Sequence, residues 1–139
     1  MTLILDFIRQ LAEYERLIDQ VTASEASLAE TLFGPQPAAE VILAETQGHP
    51  AGFAIYFYSY STFLGRRNLY LEDLFVAPAW RGRGLGQLLL ATVARVAVDR
   101  GCARMEWSVL KWNEPALRVY RHVGARPLAA VAVRAALAV

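Results

Sequence analysis

The chain has 139 residues, 55% of them hydrophobic and 19% charged, with a net charge of +1 and one cysteine. This composition excludes a disordered chain and an intramolecular disulfide framework, and it supplies no global field to draw nucleic acid or an anionic membrane. No apolar run approaches a membrane span, and the N-terminal apolar residues are broken by Asp6 and Arg9 and lack a small-residue cleavage site, so one cytoplasmic domain over 1–139 is expected.

From Thr2, the positions Phe7, Leu11, Tyr14, Ile18 and Val21 recur at helical spacing, with Asp6, Arg9, Glu13, Arg16 and Gln20 opposite, which predicts an amphipathic helix running to about Val21. Glu15 falls inside the apolar sector of that helix, where a carboxylate needs a partner or a route to water. Thr22-Ala23-Ser24-Glu25 has the form of a capping box, and Glu25 to Phe33 reads as a second helix closed by Gly34. Glu40 to Thr46 and Ala51 to Tyr60 read as two strands of a hairpin around Gln47-Gly48-His49-Pro50. Ser61 to Asn68 reads as the next turn, and Leu69 to Val76 as a central strand buried on both faces.

After Pro78 the chain reads Arg81-Gly82-Arg83-Gly84-Leu85-Gly86 and opens a helix over Gly84 to Arg100 that is apolar almost all round and expected to be largely buried. Alternate glycines let successive N–H groups turn inward, the helix start adds unpaired N–H groups and a positive dipole end, and two arginines bracket the turn. The result is an anion cradle fit for a phosphate or pyrophosphate. It is not a P-loop, which would need Gly-Lys-Ser/Thr, since the only lysine is Lys111. Nor is it a dinucleotide fingerprint, because the spacing is G-x-G-x-G and a four-residue connector separates it from the strand. Gly101 ends the helix, Ala103 to Leu110 reads as a strand, and Asn113-Glu114-Pro115 caps a last helix that closes at Gly124. Leu128 to Val139 fits either strand or helix.

A strand ending in Leu74-Phe75-Val76, followed by Pro78 and then Arg81-Gly82-x-Gly84-x-Gly86 before a helix, resembles the acetyl-coenzyme A site of the GNAT N-acetyltransferase superfamily. Within it, Tyr14-Glu15, Tyr70-Leu71-Glu72-Asp73, Trp112-Asn113-Glu114-Pro115 and Val119-Tyr120 resemble the diamine (spermidine/spermine) acetyltransferases. The resemblance implies an α+β fold, a mixed β-sheet flanked by helices, here with the family's usual first strand missing. It also implies acetyl-CoA as co-substrate and a homodimer. Leu74, Phe75, Val76, Arg81, Gly82, Arg83, Gly84, Leu85, Gly86, Asn113 and Tyr120 are then expected at the cofactor, and Tyr14, Glu15, Glu72, Asp73 and Trp112 at the substrate.

Acetyl transfer to an amine needs a held thioester, a deprotonated amine and a proton for the leaving thiolate. Glu72 and Asp73 occupy successive strand positions and should point to opposite faces of a regular sheet. Glu72 is expected as the base, sharing a face with Tyr70, Leu74 and Val76; the alternative is a carboxylate tied up by a neighbouring arginine. Tyr120, on an apolar stripe with Ala116, Leu117 and Val123, is a core tyrosine on residue type alone, and the resemblance makes it the general acid. Tyr56, Tyr58, Tyr60, Phe63 and Trp112 are candidate linings for an alkylamine or plain packing residues. Cys102 is expected to be an inert buried thiol. His49 and His122 lack metal-ligand spacing, so no metal is expected. The function expected is acetyl-CoA-dependent N-acetylation of a small primary amine, a diamine or polyamine first and a lysine-like amine second. A non-catalytic acyl-CoA-binding module and a protein-lysine acetyltransferase are the alternatives.

Overall fold

The computed structural model describes residues 2–126, in two units, Met1–Ser108 and Val109–Val139. The sequence reading for 128–139 lies outside the described residues.

In the first unit the order is α1 (Thr2–Tyr14), α2 (Glu25–Phe33), β1 (Glu40–Thr46), β2 (His49–Ser61), β3 (Arg66–Val76), α3 (Leu85–Asp99) and β4 (Met105–Trp107), with short 3₁₀ turns at Ile18–Gln20 and Pro78–Trp80. The strands form one sheet in the order β1-β2-β3-β4; the first three are antiparallel and β4 runs parallel to β3. This is the expected mixed sheet with helices against it.

One face carries α1 and α2. Ile4, Leu5 and Phe7 of α1 and Leu28 and Leu32 of α2 are buried with Phe53, Ile55 and Phe75 of the sheet. Phe7 stacks on Phe53 at 5.4 Å between centroids, and both rings meet Phe75. The other face carries α3, which buries Leu89, Leu90, Val93 and Ala97 but leaves Leu88 and Val98 well exposed. It is therefore one-sided rather than largely buried, as a helix covering a single sheet face should be. At the far end of that face, Glu40 of β1 accepts from Tyr56 Oη (2.9 Å) and Arg100 Nη1 (2.8 Å), and the Arg100 guanidinium lies over the Tyr58 ring. Tyr56 and Tyr58 thus face α3.

Several boundaries differ from the sequence reading. Helix α1 stops at Tyr14 because Arg16 takes a left-handed φ of 61° and Leu17 N–H bonds back to Ala12 O, closing the helix end. The cap of α2 is Ser24 paired with Ser27, each side chain bonding the other's backbone N–H, rather than Thr22 with Glu25. The β1–β2 turn tightens to Gln47-Gly48, both with positive φ, so that His49 opens β2. Strand β3 begins at Arg66, and β4 shrinks to three residues. Cys102 is partly exposed rather than buried.

In the second unit α4 spans Glu114–His122. Asn113 Oδ1 accepts from Ala116 N–H, and Gly124, at φ 87°, lets Ala125 N–H return to Tyr120 O, as the caps in the sequence foretell.

Candidate active site

Strand β3 carries several of the candidate residues, and it holds one irregularity. Ile55 pairs with Asp73 while the next residue, Tyr56, pairs with Leu71, so Glu72 is an extra residue in β3, a β-bulge. Phe75 packs against Phe7 on the α1 face, and Asp73, two residues earlier and opposite Ile55, lies on that face too. Leu71 and Leu69, paired with Tyr56 and Tyr58, lie on the α3 face. Val76 also turns towards α3: a Cβ placed on Gly86 would sit 3.8 Å from its Cγ2. The bulge breaks the strict alternation at Glu72, whose charge acts on both Asp73 and Glu15, so the regular-strand expectation that Glu72 and Asp73 point to opposite faces does not carry over to this strand.

Glu15, just past the end of α1, faces the same pair. Burial pushes the Asp73 carboxyl up to about 6, and Glu72 and then Glu15 add to the shift. Burial, followed by the charge of Glu72, also holds Glu15 above the ordinary carboxylate value. Among the described residues none of the three forms a salt bridge. Nor is any group of three or more His, Cys, Asp or Glu side chains among those residues arranged to hold a metal ion. Glu15 and Asp73 are half-buried and Glu72 is exposed beside them, so three carboxylates share one acidic patch.

The anion cradle lies at the end of the same strand. Gly82 and Gly84 have φ of 78° and 81°, a backbone region that Cβ-bearing residues enter only at a cost, and between them the N–H groups form a nest at the start of α3. Helix α3 has no side-chain cap, so its first N–H groups and dipole end are open to an anion. Gly86 is an ordinary helical residue with room for a methyl group, so two of the three glycines do the conformational work. The two arginines diverge. Arg83 lays its guanidinium over Trp80 at 4.9 Å, whereas Arg81 turns back, donates from Nε to Val76 O at 2.8 Å, and lies over the rings of Tyr14 and Phe75. Beside them, β3 pairs with β4 only over Leu69–Leu71, and Leu74, Phe75 and Val76 lie beyond that ladder.

Of the predicted site residues, the first unit brings together Tyr14, Glu15, Glu72 and Asp73, and places Leu74 to Val76 and Arg81 to Gly86 at the adjoining strand end. Trp112, Asn113 and Tyr120 belong to the second unit. There Asn113 caps α4, Tyr120 is half-buried on the helix, Trp112 is exposed, and Val123 lies past the helix end, exposed rather than on the stripe. Tyr56 and Tyr58 face α3 and Tyr60 and Phe63 are exposed at the β2–β3 hairpin, so these four do not line the carboxylate patch. The aromatic pair on the patch side is Phe57 and Tyr70, with centroids 5.2 Å apart; Tyr70 Oη also lies 2.7 Å from Ser108 Oγ. Their pairing across β2 and β3 was readable only with the register in hand.

The arrangement matches known proteins. Residues 6–125 fit the model of the acetyltransferase (GNAT) family. The chain is 43% identical over 133 residues to a thialysine N-epsilon-acetyltransferase of Bos taurus, covering 90% of this chain and 78% of that protein. It is 31% identical to an L-ornithine N5-acetyltransferase of Arabidopsis thaliana, covering 86% and 72%. Among solved structures, an integron cassette protein from the mobile metagenome of V. cholerae superposes with a TM-score of 0.73 at 28% identity, covering 91% of this chain and 78% of that one. With an anion nest at the end of β3, an acidic patch beside it and relatives of this kind, the chain belongs to the GNAT family of acetyltransferases and is an N-acetyltransferase.

Proposed function

We propose that the protein transfers the acetyl group of acetyl-CoA to a primary amine at the end of a short flexible chain, a lysine-like amino acid or a diamine. The observation that carries this reading is the cluster of Glu15, Glu72 and Asp73, without salt bridges among the described residues and next to the anion nest. The relatives named for thialysine and ornithine favour an amino acid with an ω-amine. The concentration of three carboxylates favours a substrate with two positive charges, as does 33% identity to a human spermidine/spermine N(1)-acetyltransferase-like protein, over 90% of this chain and 19% of that protein.

In this reading the nest of Gly82 to Gly86, with Arg83, holds the pyrophosphate, and Leu74, Phe75, Val76 and Asn113 hold the pantetheine arm. Glu15, Asp73, Tyr14 and Trp112 receive the amine. An alkylamine, with a pKa of about 10, arrives protonated. Glu72, exposed at the bulge, takes its proton directly or through water. The free amine attacks the thioester carbonyl, the C–N bond forms as the C–S bond breaks, Tyr120 protonates the departing thiolate, and the proton that the nitrogen sheds in becoming an amide passes through water to restore the Tyr120 phenol. The whole chain, 1–139, acts as one domain, as a homodimer, in the cytoplasm. A net charge of +1 supports a reading without nucleic acid or membrane partners, and among the described residues no helix is long and apolar enough to cross a membrane.

Thiol release from acetyl-CoA across thialysine, lysine, ornithine, putrescine, spermidine and a lysine-containing peptide tests the proposal. Turnover is expected with a free amine. Cofactor binding without turnover on any amine, or turnover on the peptide alone, refutes it. Light scattering at micromolar concentration tests the homodimer, and a monomer there removes that part.

A further inference from the structure

We infer that Arg81 is a positioning residue for the acceptor amine, tying the end of α1 to the end of β3, rather than a ligand of the cofactor's phosphates. The inference rests on the proposed reading of Glu15 as an amine contact. Arg81 begins the glycine loop, where an arginine is expected to add charge to the anion site. Its side chain is committed elsewhere: Nε donates to Val76 O at 2.8 Å, and the guanidinium carbon lies 5.2 Å from the Tyr14 ring centroid and 5.3 Å from that of Phe75. A planar guanidinium makes both contacts at once, with one edge on the carbonyl and its face on the rings, which an ammonium cannot reproduce.

The reason α1 needs this tie lies in where its packing sits. Its fully buried side chains, Ile4, Leu5 and Phe7, are all in its first half. The last turn carries the partly exposed Tyr14, and the chain then breaks at Arg16, whose φ is left-handed. Glu15 follows the end of the helix, away from those buried side chains, yet it must face Glu72 and Asp73 for the patch to exist. Arg81 pins the residue immediately before Glu15 to the strand that carries the other two carboxylates. No salt bridge from Arg81 to Glu15, Glu72 or Asp73 is present among the described residues, so it fixes the patch without neutralising it.

The test uses Arg81→Lys, which keeps the charge and loses the fork and the stack, with Glu15→Gln and the double variant. Arg81 is exposed, so the lysine variant is expected to fold. Expected for Arg81→Lys are an acetyl-CoA Kd within about twofold of the parent, a KM for the best amine raised about tenfold, and amide exchange at Glu15 and Leu17 faster by about the same factor. In the Glu15→Gln background, Arg81→Lys should raise the amine KM no further. A merely structural role predicts equal effects in both backgrounds. If Arg81→Lys weakens acetyl-CoA and leaves the amine KM and the exchange rates alone, Arg81 is a phosphate ligand and the inference is overturned. If Glu15→Gln raises the amine KM and Arg81→Lys does not, the inference falls while the reading of Glu15 stands. If Glu15→Gln leaves the amine KM unchanged, that reading falls and takes the inference with it.

Discussion

Asp73 should destabilise the free protein at neutral pH, and Asp73→Asn should show by how much. Its carboxyl is raised from 3.8 to about 6, chiefly by burial, so the folded state holds the proton more tightly than the unfolded chain does. Below about pH 3.8 both states are protonated and the group is neutral in the balance. As the pH rises towards 6 the unfolded chain ionises first and stability falls, and above 6 the loss is complete. The gap corresponds to about 3 kcal/mol at most. Asparagine keeps the shape and removes the charge, but its amide also wants partners, so a gain of about 1–3 kcal/mol is expected at pH 8 and almost none at pH 4. In a domain of this size that is roughly 3–10 °C in melting temperature. Denaturant melts of both proteins between pH 4 and 8 measure it directly. The same sign applies to ligand: an ammonium prefers the ionised carboxylate, so the amine KM of the parent should fall as the pH rises through 6 and lose that dependence in Asp73→Asn. A stability difference that does not change with pH would show that Asp73 is not strained by its own charge, and the argument for an acidic acceptor patch would lose its support.

Gly84→Val should abolish the thermal stabilisation by acetyl-CoA, because a β-branched residue cannot hold a φ of 81° and the nest would open; unchanged cofactor affinity in a folded variant would sink the cradle. Tyr120→Phe should lower turnover about 10²–10⁴-fold with little change in cofactor affinity or melting temperature, and near-normal turnover would hand the proton to water. Glu40→Gln, which weakens the bonds from Tyr56 and Arg100, should cost about 1 kcal/mol in a chemical melt and leave the amine KM untouched. Gln47→Asn should stabilise the β1–β2 hairpin by about 0.5 kcal/mol, since Gln47 sits at φ 53° in a two-residue turn that asparagine tolerates better, and a loss of stability would refute the turn assignment.

The cradle was legible because it is local. Two glycines, a helix start and a strand end lie within a dozen residues, and the backbone conformations they need follow from residue type alone. A helical wheel places Glu15 among apolar neighbours, and burial does raise its carboxyl, although the helix ends one residue before it. The end of α1 was not legible: Arg16 has no preference for left-handed φ, and its place depends on how the chain turns into α2, a tertiary demand that overrides propensity.

The bulge at Glu72 lies between these cases. A regular strand from Leu69 to Val76 would send Leu69, Leu71, Asp73 and Phe75 to one face. The sheet needs Leu69 and Leu71 under α3 and Phe75 against Phe7 under α1, and both demands can be met only if one residue is inserted between 71 and 73. The trace of this is in the sequence as a change of parity: the apolar positions facing α3 are odd up to Leu71 and even at Leu74 and Val76. A strand read as buried on both faces hides that change, because every position in it is allowed to be apolar. The two carboxylates break the disguise, since successive charged residues in a doubly buried strand are affordable only where the ladder is interrupted and the extra residue can reach water. The register slip that places Asp73 in the core face thus falls at the exposed Glu72, the carboxylate whose charge acts on both Asp73 and Glu15.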